Sequence, residues 1–445
     1  MNIVQITAGA GGMYCGICLR DNALVAALRK QGHHVLMVPL YLPLTLDEKD
    51  ESEGMPIFFS GINVYLEQKS AWFRDAPSWF HSLMTSRKLL KWAGGRAART
   101  QPGELGDITL SMLRGEEGFQ QRELDQLIAW LKQQGKIDAI CLSNALLVGL
   151  ARKLKSELSV PVTCMLQGED VFLDSLSEQY RAECWKTLSE RSFDVAMFGA
   201  ASRYFGELMA RRLELPREKM RLVHNGINLE GFNPAPSDAV RADGPPVLGY
   251  FARMCSDKGL DTLVDAFILL RKRGKLPQLR LKVGGGCGPT DESFVRPLKA
   301  RLKAEGLDGA AEFHPNLDRA AKVDFLRSLS VFSVPSKYGE AFGMYVIEAL
   351  ACGVPVVEPR SGAFTELIED TGGGVLCETG NAQSLAEAIE SVLLRPDCGR
   401  SLGEAGRKAV QEKFSAEAMA RGMLELCKAA IGKSLVKLSE IPQMK

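Results

Sequence analysis

The chain has 445 residues, more than one ordinary domain holds and suited to two. Hydrophobic residues make up 46% and charged residues 24%, the balance of a soluble globular protein, and a formal net charge of +1 supplies no global attraction to nucleic acid. No apolar run reaches the roughly 18 residues of a membrane span. Eleven scattered Cys, an odd count without a small-domain framework, point to reduced thiols in a cytoplasm.

Met1 to Ile6 lacks a basic leader and reads as a first strand, Asn2 to Thr7, rather than a signal peptide. Ala8-Gly9-Ala10-Gly11-Gly12-Met13 is a glycine loop. A helix from Leu19 to Gln31, a cap at Gly32 and a strand from Val35 to Leu40 complete a βαβ unit, with its glycines where phosphate binding occurs. The third glycine of a dinucleotide fingerprint is missing, because Tyr14 stands there, and this disfavours an NAD oxidoreductase. Cys15-x-x-Cys18 has no second pair at zinc spacing and reads as ordinary thiols.

Trp72 to Pro102 differs from the rest. It holds Trp72, Trp79 and Trp92, with Arg74, Arg87, Lys88, Lys91, Arg96 and Arg99 against the single acid Asp75. The ordinary reading is a helix packed on the first domain with a solvated basic face. The sharper reading is a helix that meets a substrate or an anionic membrane surface. Helix 117–134, strand 138–142, helix 146–158 and strand 160–166 continue the alternation. Gln167-Gly168-Glu169-Asp170 follows at a strand's carboxyl end, where α/β sheets place ligands. Strand 195–198, helix 200–213 and strand 221–224 lead to Asn225-Gly226-Ile227-Asn228.

The Pro-rich stretch 233–246 is the expected linker, dividing a domain 1–232 from a domain 247–414, with 415–445 as a final helix and tail. After strand 247–251, Arg253 and Lys258 share one loop ahead of a helix. Strand 279–283 leads into Gly284-Gly285-Gly286-Cys287-Gly288-Pro289, and helix 294–305 and strand 311–314 follow. Val331 to Val334 reads as a buried strand and Pro335 to Gly339 as a loop. Good helix formers then run from Phe342 to Ala351, and Gly353 and Pro355 stop them. The first turn of such a helix offers free N–H groups and a partial positive charge, which suit a phosphate. Gly343 leaves room for it, and the amides of Met344 and Tyr345 point outward. Glu340 on the loop and Glu348 inside the helix are placed to accept hydroxyls on either side of the phosphates. Taken alone, two Glu at this spacing are a common surface feature. Helices 384–394, 399–413 and 415–430 close the chain.

Glu340-Ala-Phe342-Gly343 with Glu348-Ala349-Leu350-Ala351-Cys352-Gly353-Val354-Pro355-Val356-Val357 resembles the donor-site signature of GT4-family retaining glycosyltransferases of group 1. Arg253 with Lys258-Gly259 resembles the family's diphosphate clamp, with Ala252 for the usual Gly. Gly11-Gly12 resembles its N-terminal loop, Asn225-Gly226-Ile227 its N-G-[IV]-D segment with Asn228 for Asp, and Ser361-Gly362 to Glu366 its G-G-x-x-E turn. Gln167 stands where many members have a His facing the transferred sugar, and an amide carries no protons.

The resemblance implies an α/β GT-B fold. In it, two doubly wound Rossmann-like domains face a cleft, and a C-terminal helix crosses back to the first. The first domain would bind an acceptor and the second a nucleotide-sugar donor with a UDP, GDP or ADP leaving group. Arg253, Lys258 and Glu340 are the expected catalytic residues. Gly11, Gly12, Phe342, Gly343, Met344, Tyr345 and Glu348 are the expected donor-binding ones, and Gln167 and Asp170 serve the acceptor or sugar side. No D-x-D occurs, so neither a metal nor a cofactor is expected. The rival readings are a non-catalytic nucleotide-sugar binder, which Gln167 allows, and an epimerase of related fold, which the five scattered His disfavour.

Overall fold

A computed structural model describes residues 1–9, 16–46, 48–59, 105–233 and 244–439. Glycines 11 and 12, Cys15 and the Trp-rich stretch 72–102 lie outside the described residues. The chain forms two compact units, Met1–Gly226 with Ala416–Lys445, and Ile227–Ser415.

In the first unit β1 (Asn2–Thr7), β2 (His34–Pro39), β3 (Ala139–Leu142), β4 (Val162–Leu166), β5 (Met197–Ala200) and β6 (Met220–Leu222) form one parallel sheet, ordered β2-β1-β3-β4-β5-β6. The central strands β3 and β4 are apolar apart from Thr163 and buried on both faces, as helix-covered parallel strands must be. Leu24 and Leu28 of the helix Gly16–Lys30 pack into this core with Ile3 and Met37. The last helix, Ala416–Ser439, belongs to this unit: Met419, Met423 and Cys427 enter the same core, and Cys427 Sγ lies 3.5 Å from Cys141 Sγ on β3. Full burial of each such side chain is worth about 1.5–3 kcal/mol, which holds the helix to the sheet.

In the second unit β7 (Val247–Phe251), β8 (Arg280–Gly285), β9 (Ala311–Pro315), β10 (Val331–Phe332), β11 (Val356–Pro359) and β12 (Gly374–Cys377) form a second parallel sheet, ordered β12-β11-β10-β7-β8-β9. No helix among the described residues is long and apolar enough to cross a membrane.

The helix expected over 117–134 divides. A 3-10 turn covers Gly115–Glu117, Gly118 is extended, and the α-helix runs Gln121–Leu131. The segment 146–158 likewise opens as a 3-10 stretch, Ala145–Leu150, before the helix Ala151–Leu158.

Candidate active site

β7 and β10 are neighbours, yet the chain leaves them in opposite directions, to β8 and β9 on one side and to β11 and β12 on the other. At such a switch point the loops beyond the strands' carboxyl ends part and leave a crevice for ligand. The loop after β7 carries Arg253 and Lys258. The loop after β10 carries Glu340 and runs into the helix Met344–Ala351, with Glu348 in its second turn.

Backbone contacts fasten these loops together. Ser336 Oγ and the Lys337 amide both donate to the Asp257 carbonyl, at 3.3 and 3.0 Å, and Lys337 Nζ donates to Asp261 at 2.6 Å. Gly259 has φ +68°, and a Cβ there would stand 1.9 Å from the Pro335 carbonyl oxygen, so only glycine allows this approach. Gly343 caps the helix at φ +96°, and a Cβ would press on the Phe364 ring at 2.9 Å. Phe342 is buried, with its ring 5.9 Å from that of Phe414. The Ala363 amide donates to the Glu340 carbonyl at 2.9 Å, bracing the loop from the 361–363 turn. The amides at the first turn, including Met344 and Tyr345, have no carbonyl one turn back inside their own helix.

Each expected charge is set against an opposite one. Arg253 forks onto Asp291: Nε reaches the two carboxylate oxygens at 3.1 and 3.2 Å, and Nη2 reaches Oδ1 at 2.9 Å. Asp291 also accepts the Gly288 amide at 3.0 Å, which ties Arg253 to the glycine loop. This hydrogen bonding raises the Arg253 pKa further, so the guanidinium stays charged. Lys258 pairs with Glu340, and its ammonium lies 5.7 Å from the centre of the Tyr345 ring. Lys322 pairs with Glu348 at 2.7 Å, with the two side chains only 13% and 14% exposed.

Beneath these pairs Glu358 on β11 is fully buried and accepts the Val334 amide at 3.2 and 3.3 Å. Burial pushes its carboxyl well above the usual range against the pull of that amide, and the charge of Glu340 adds to the rise. Burial likewise pushes the Tyr345 phenol up.

In the first unit Gln167 follows β4, and its amide is engaged. Gln167 Nε2 donates to Asn225 Oδ1 at 3.2 Å, and Asn225 Nδ2 donates to Gln167 Oε1 at 3.0 Å. Glu169, buried, accepts the amides of Ala145, Gln167 and Gly168 at 2.7, 2.9 and 3.0 Å and so fixes this turn. Asp170 lies in the first turn of the helix Glu169–Asp174, and burial raises its carboxyl. Among the described residues no group of three His, Cys, Asp or Glu is arranged to hold a metal ion.

Sequence reasoning missed Asp291, Lys322, Glu358 and the Asn225–Gln167 pairing. Asp291 stands just past the glycine loop, which was a usable signal. Lys322 and Glu358 carry none, because one is a Lys on a short helix and the other an acid in an apolar strand.

Residues 235–409 match the family described as Glycosyl transferases group 1. A D-inositol 3-phosphate glycosyltransferase of Saccharomonospora viridis is 30% identical over 230 residues, 50% of this chain and 53% of that protein. Its namesake in Mycolicibacterium smegmatis is 32% identical over 200 residues, 43% of this chain and 44% of that one. The chain thus spans about half the length of the curated relatives it matches. Among solved structures, sucrose-phosphate synthase of Thermosynechococcus elongatus superposes with a TM-score of 0.68 at 20% identity, covering 97% of this chain and 100% of that one. Anabaena HepE in complex with UDP superposes at 0.66 and 15% identity, covering 96% of this chain and 100% of that one. These likenesses are to the fold, which is GT-B.

Proposed function

We propose that this chain, which carries a glycosyl transferases group 1 domain over residues 235–409, moves a sugar from a nucleotide-diphosphate donor to an acceptor hydroxyl. The observation that carries the reading is the meeting of Lys258 and Glu340 at the switch point of the second sheet, with Arg253 on the same loop as Lys258. HepE, of the same fold, has been solved with UDP and with UDP-glucose, which makes UDP-sugars the first donors to test.

The chemical difficulty lies at the leaving group. As the glycosidic C–O bond breaks, negative charge gathers on the diphosphate and the anomeric carbon becomes cationic. Preorganised donors aimed at developing charge are the strongest single device available. Arg253, Lys258 and the first turn after Gly343 would supply them, with Phe342 packing the loop from below. Glu340 would hold hydroxyls of the transferred sugar, and Glu348 those of the ribose. With retention of configuration, the acceptor oxygen bonds to the anomeric carbon on the face the diphosphate leaves, and the acceptor's proton passes to the departing phosphate oxygen. In the first unit, Gln167 and Asp170 are the proposed groups for the sugar or acceptor, and Gly11 and Gly12 for the donor.

The test has two parts. A thermal-shift panel of UDP-, GDP- and ADP-sugars identifies the donor, since a ligand bound only by the folded state raises its stability. Slow release of free nucleotide from that donor without acceptor then marks an enzyme. Binding without release would make the chain a nucleotide-sugar binder.

A further inference from the structure

The carboxylate assigned to the ribose does not stand alone. Lys322 Nζ lies 2.7 Å from Glu348 Oε1 and 5.7 Å from the centre of the buried Phe232 ring. Both ends of this arrangement are fixed. The Asp318 side chain caps the helix Arg319–Arg327 by accepting the Ala321 amide at 2.9 Å, and the Lys322 amide donates to the Asp318 carbonyl at 2.8 Å. Arg319 donates to the carbonyls of Asn228 and Glu230, and Arg327 to those of Gly231 and Asn233, so the Phe232 segment is strapped to the same helix.

We propose that Lys322 is the positioning residue for Glu348: it holds the carboxylate in the orientation that reads a ribose cis-diol, and it cancels that carboxylate's charge beside the diphosphate. The proposal rests on the nucleotide-donor reading above. A carboxylate offers about four lone-pair directions. Lys322 occupies one of them on Oε1, which leaves Oε2 and part of Oε1 for the 2′- and 3′-hydroxyls. An unpaired Glu348 would turn more freely and would repel the incoming polyanion. The pair is neutral as a whole, and it lies mostly out of water, where such interactions are screened least.

Calorimetry on the full chain tests this, with UDP, GDP and ADP and the 2′-deoxy form of each as probes. For the diphosphate that binds, Lys322→Met is expected to weaken affinity about tenfold and to shrink the preference for ribose over 2′-deoxyribose to within about threefold. Lys322→Arg, which keeps the charge, should restore most of both. Adding Lys322→Met to Glu348→Gln should cost nothing further, because the lysine acts through the carboxylate. Lys322→Gln serves as a second removal of the charge if the Met variant unfolds. Wild-type affinity and wild-type ribose preference in the charge-removed variant would overturn the proposal. Loss of binding in Glu348→Gln with none in Lys322→Met would overturn it and leave the donor reading standing. Failure of the wild type to bind any of the three diphosphates would overturn both.

Discussion

Lys258 and Glu340, 82 positions apart in sequence, form an ion pair across the loops that follow β7 and β10. The cation expected to meet a diphosphate is thus already placed and already partnered. Its partner is the carboxylate expected to hold the transferred sugar. Their side chains are 30% and 16% exposed, so the pair is reachable by a ligand while partly shielded from water. A donor would extend this pair, since an ammonium has three protons to give and Glu340 uses one. Arg253 is similarly forked onto Asp291, and its side chain stays 63% exposed.

Replacing either cation should therefore damage catalysis more than folding. We expect Lys258→Ala and Arg253→Ala to lower turnover at saturating donor by roughly 100-fold or more, as removal of a charge-stabilising donor does. Thermal unfolding should show little loss of stability. Near-normal turnover in both variants would remove the diphosphate clamp from the account.

Asp291 should act through Arg253. Asp291→Ala frees the guanidinium and leaves the Gly288 amide without its acceptor. The expected result is a rise of about tenfold in donor KM, the cost of a lost charge-assisted hydrogen bond, with a smaller fall in kcat. An unchanged donor KM would show that Arg253 needs no such support.

Activity should persist in EDTA. The expectation rests on the absence of D-x-D from the sequence and on the paired cations at the switch point. Loss of turnover in EDTA with recovery on adding Mg²⁺ or Mn²⁺ would contradict it.

Glu358 predicts a pH dependence of stability. Its folded pKa lies above the ordinary 4.5, so the folded state holds the proton more tightly than the unfolded one. The stability tied to that proton is complete below the ordinary value and is lost as pH rises toward the folded value. The neutral Glu358→Gln lacks this loss. Thermal unfolding from about pH 5 to about pH 8 should therefore show the wild type falling relative to the variant. Parallel curves across that range would mean that folding does not raise the pKa of Glu358.

In the second sheet β7 and β10 were legible because each is a short apolar run near a proline, whereas β11 and β12 were not read as strands. β7, read as 247–251, has those bounds in the structure. Several helices escaped notice, among them Gly106–Arg114 and Phe364–Thr371, and two others did so for a physical reason. Glu178–Ser192 buries Cys184, Thr187, Leu188, Arg191 and Ser192, so its inner face is hardly aliphatic and leaves no periodic trace. Arg319–Arg327 is short and buries only Val323, Phe325 and Leu326. The missed site partners follow from that second gap, since Lys322 rides on the helix that went unread. Asp291 had a local cue in the glycine loop beside it, but Glu358 acts at a sequence separation that no local pattern encodes, meeting Val334 only once the sheet has formed.

The most direct test of the central claim is calorimetry of the bare nucleoside diphosphate on Glu340→Ala and Glu348→Ala. Glu348 lies past the first turn of its helix and is assigned to the nucleoside, whereas Glu340 lies before that turn, on the sugar side. Glu348→Ala should weaken binding roughly 10- to 150-fold, the worth of a hydrogen bond to a charged group. Glu340→Ala should keep nearly full affinity, because it removes a sugar contact and releases Lys258 to the phosphates, and it should lose turnover instead. Loss of nucleotide affinity in Glu340→Ala with retention in Glu348→Ala would reverse the two assignments. Unchanged binding and turnover in both would contradict a donor site at this switch point.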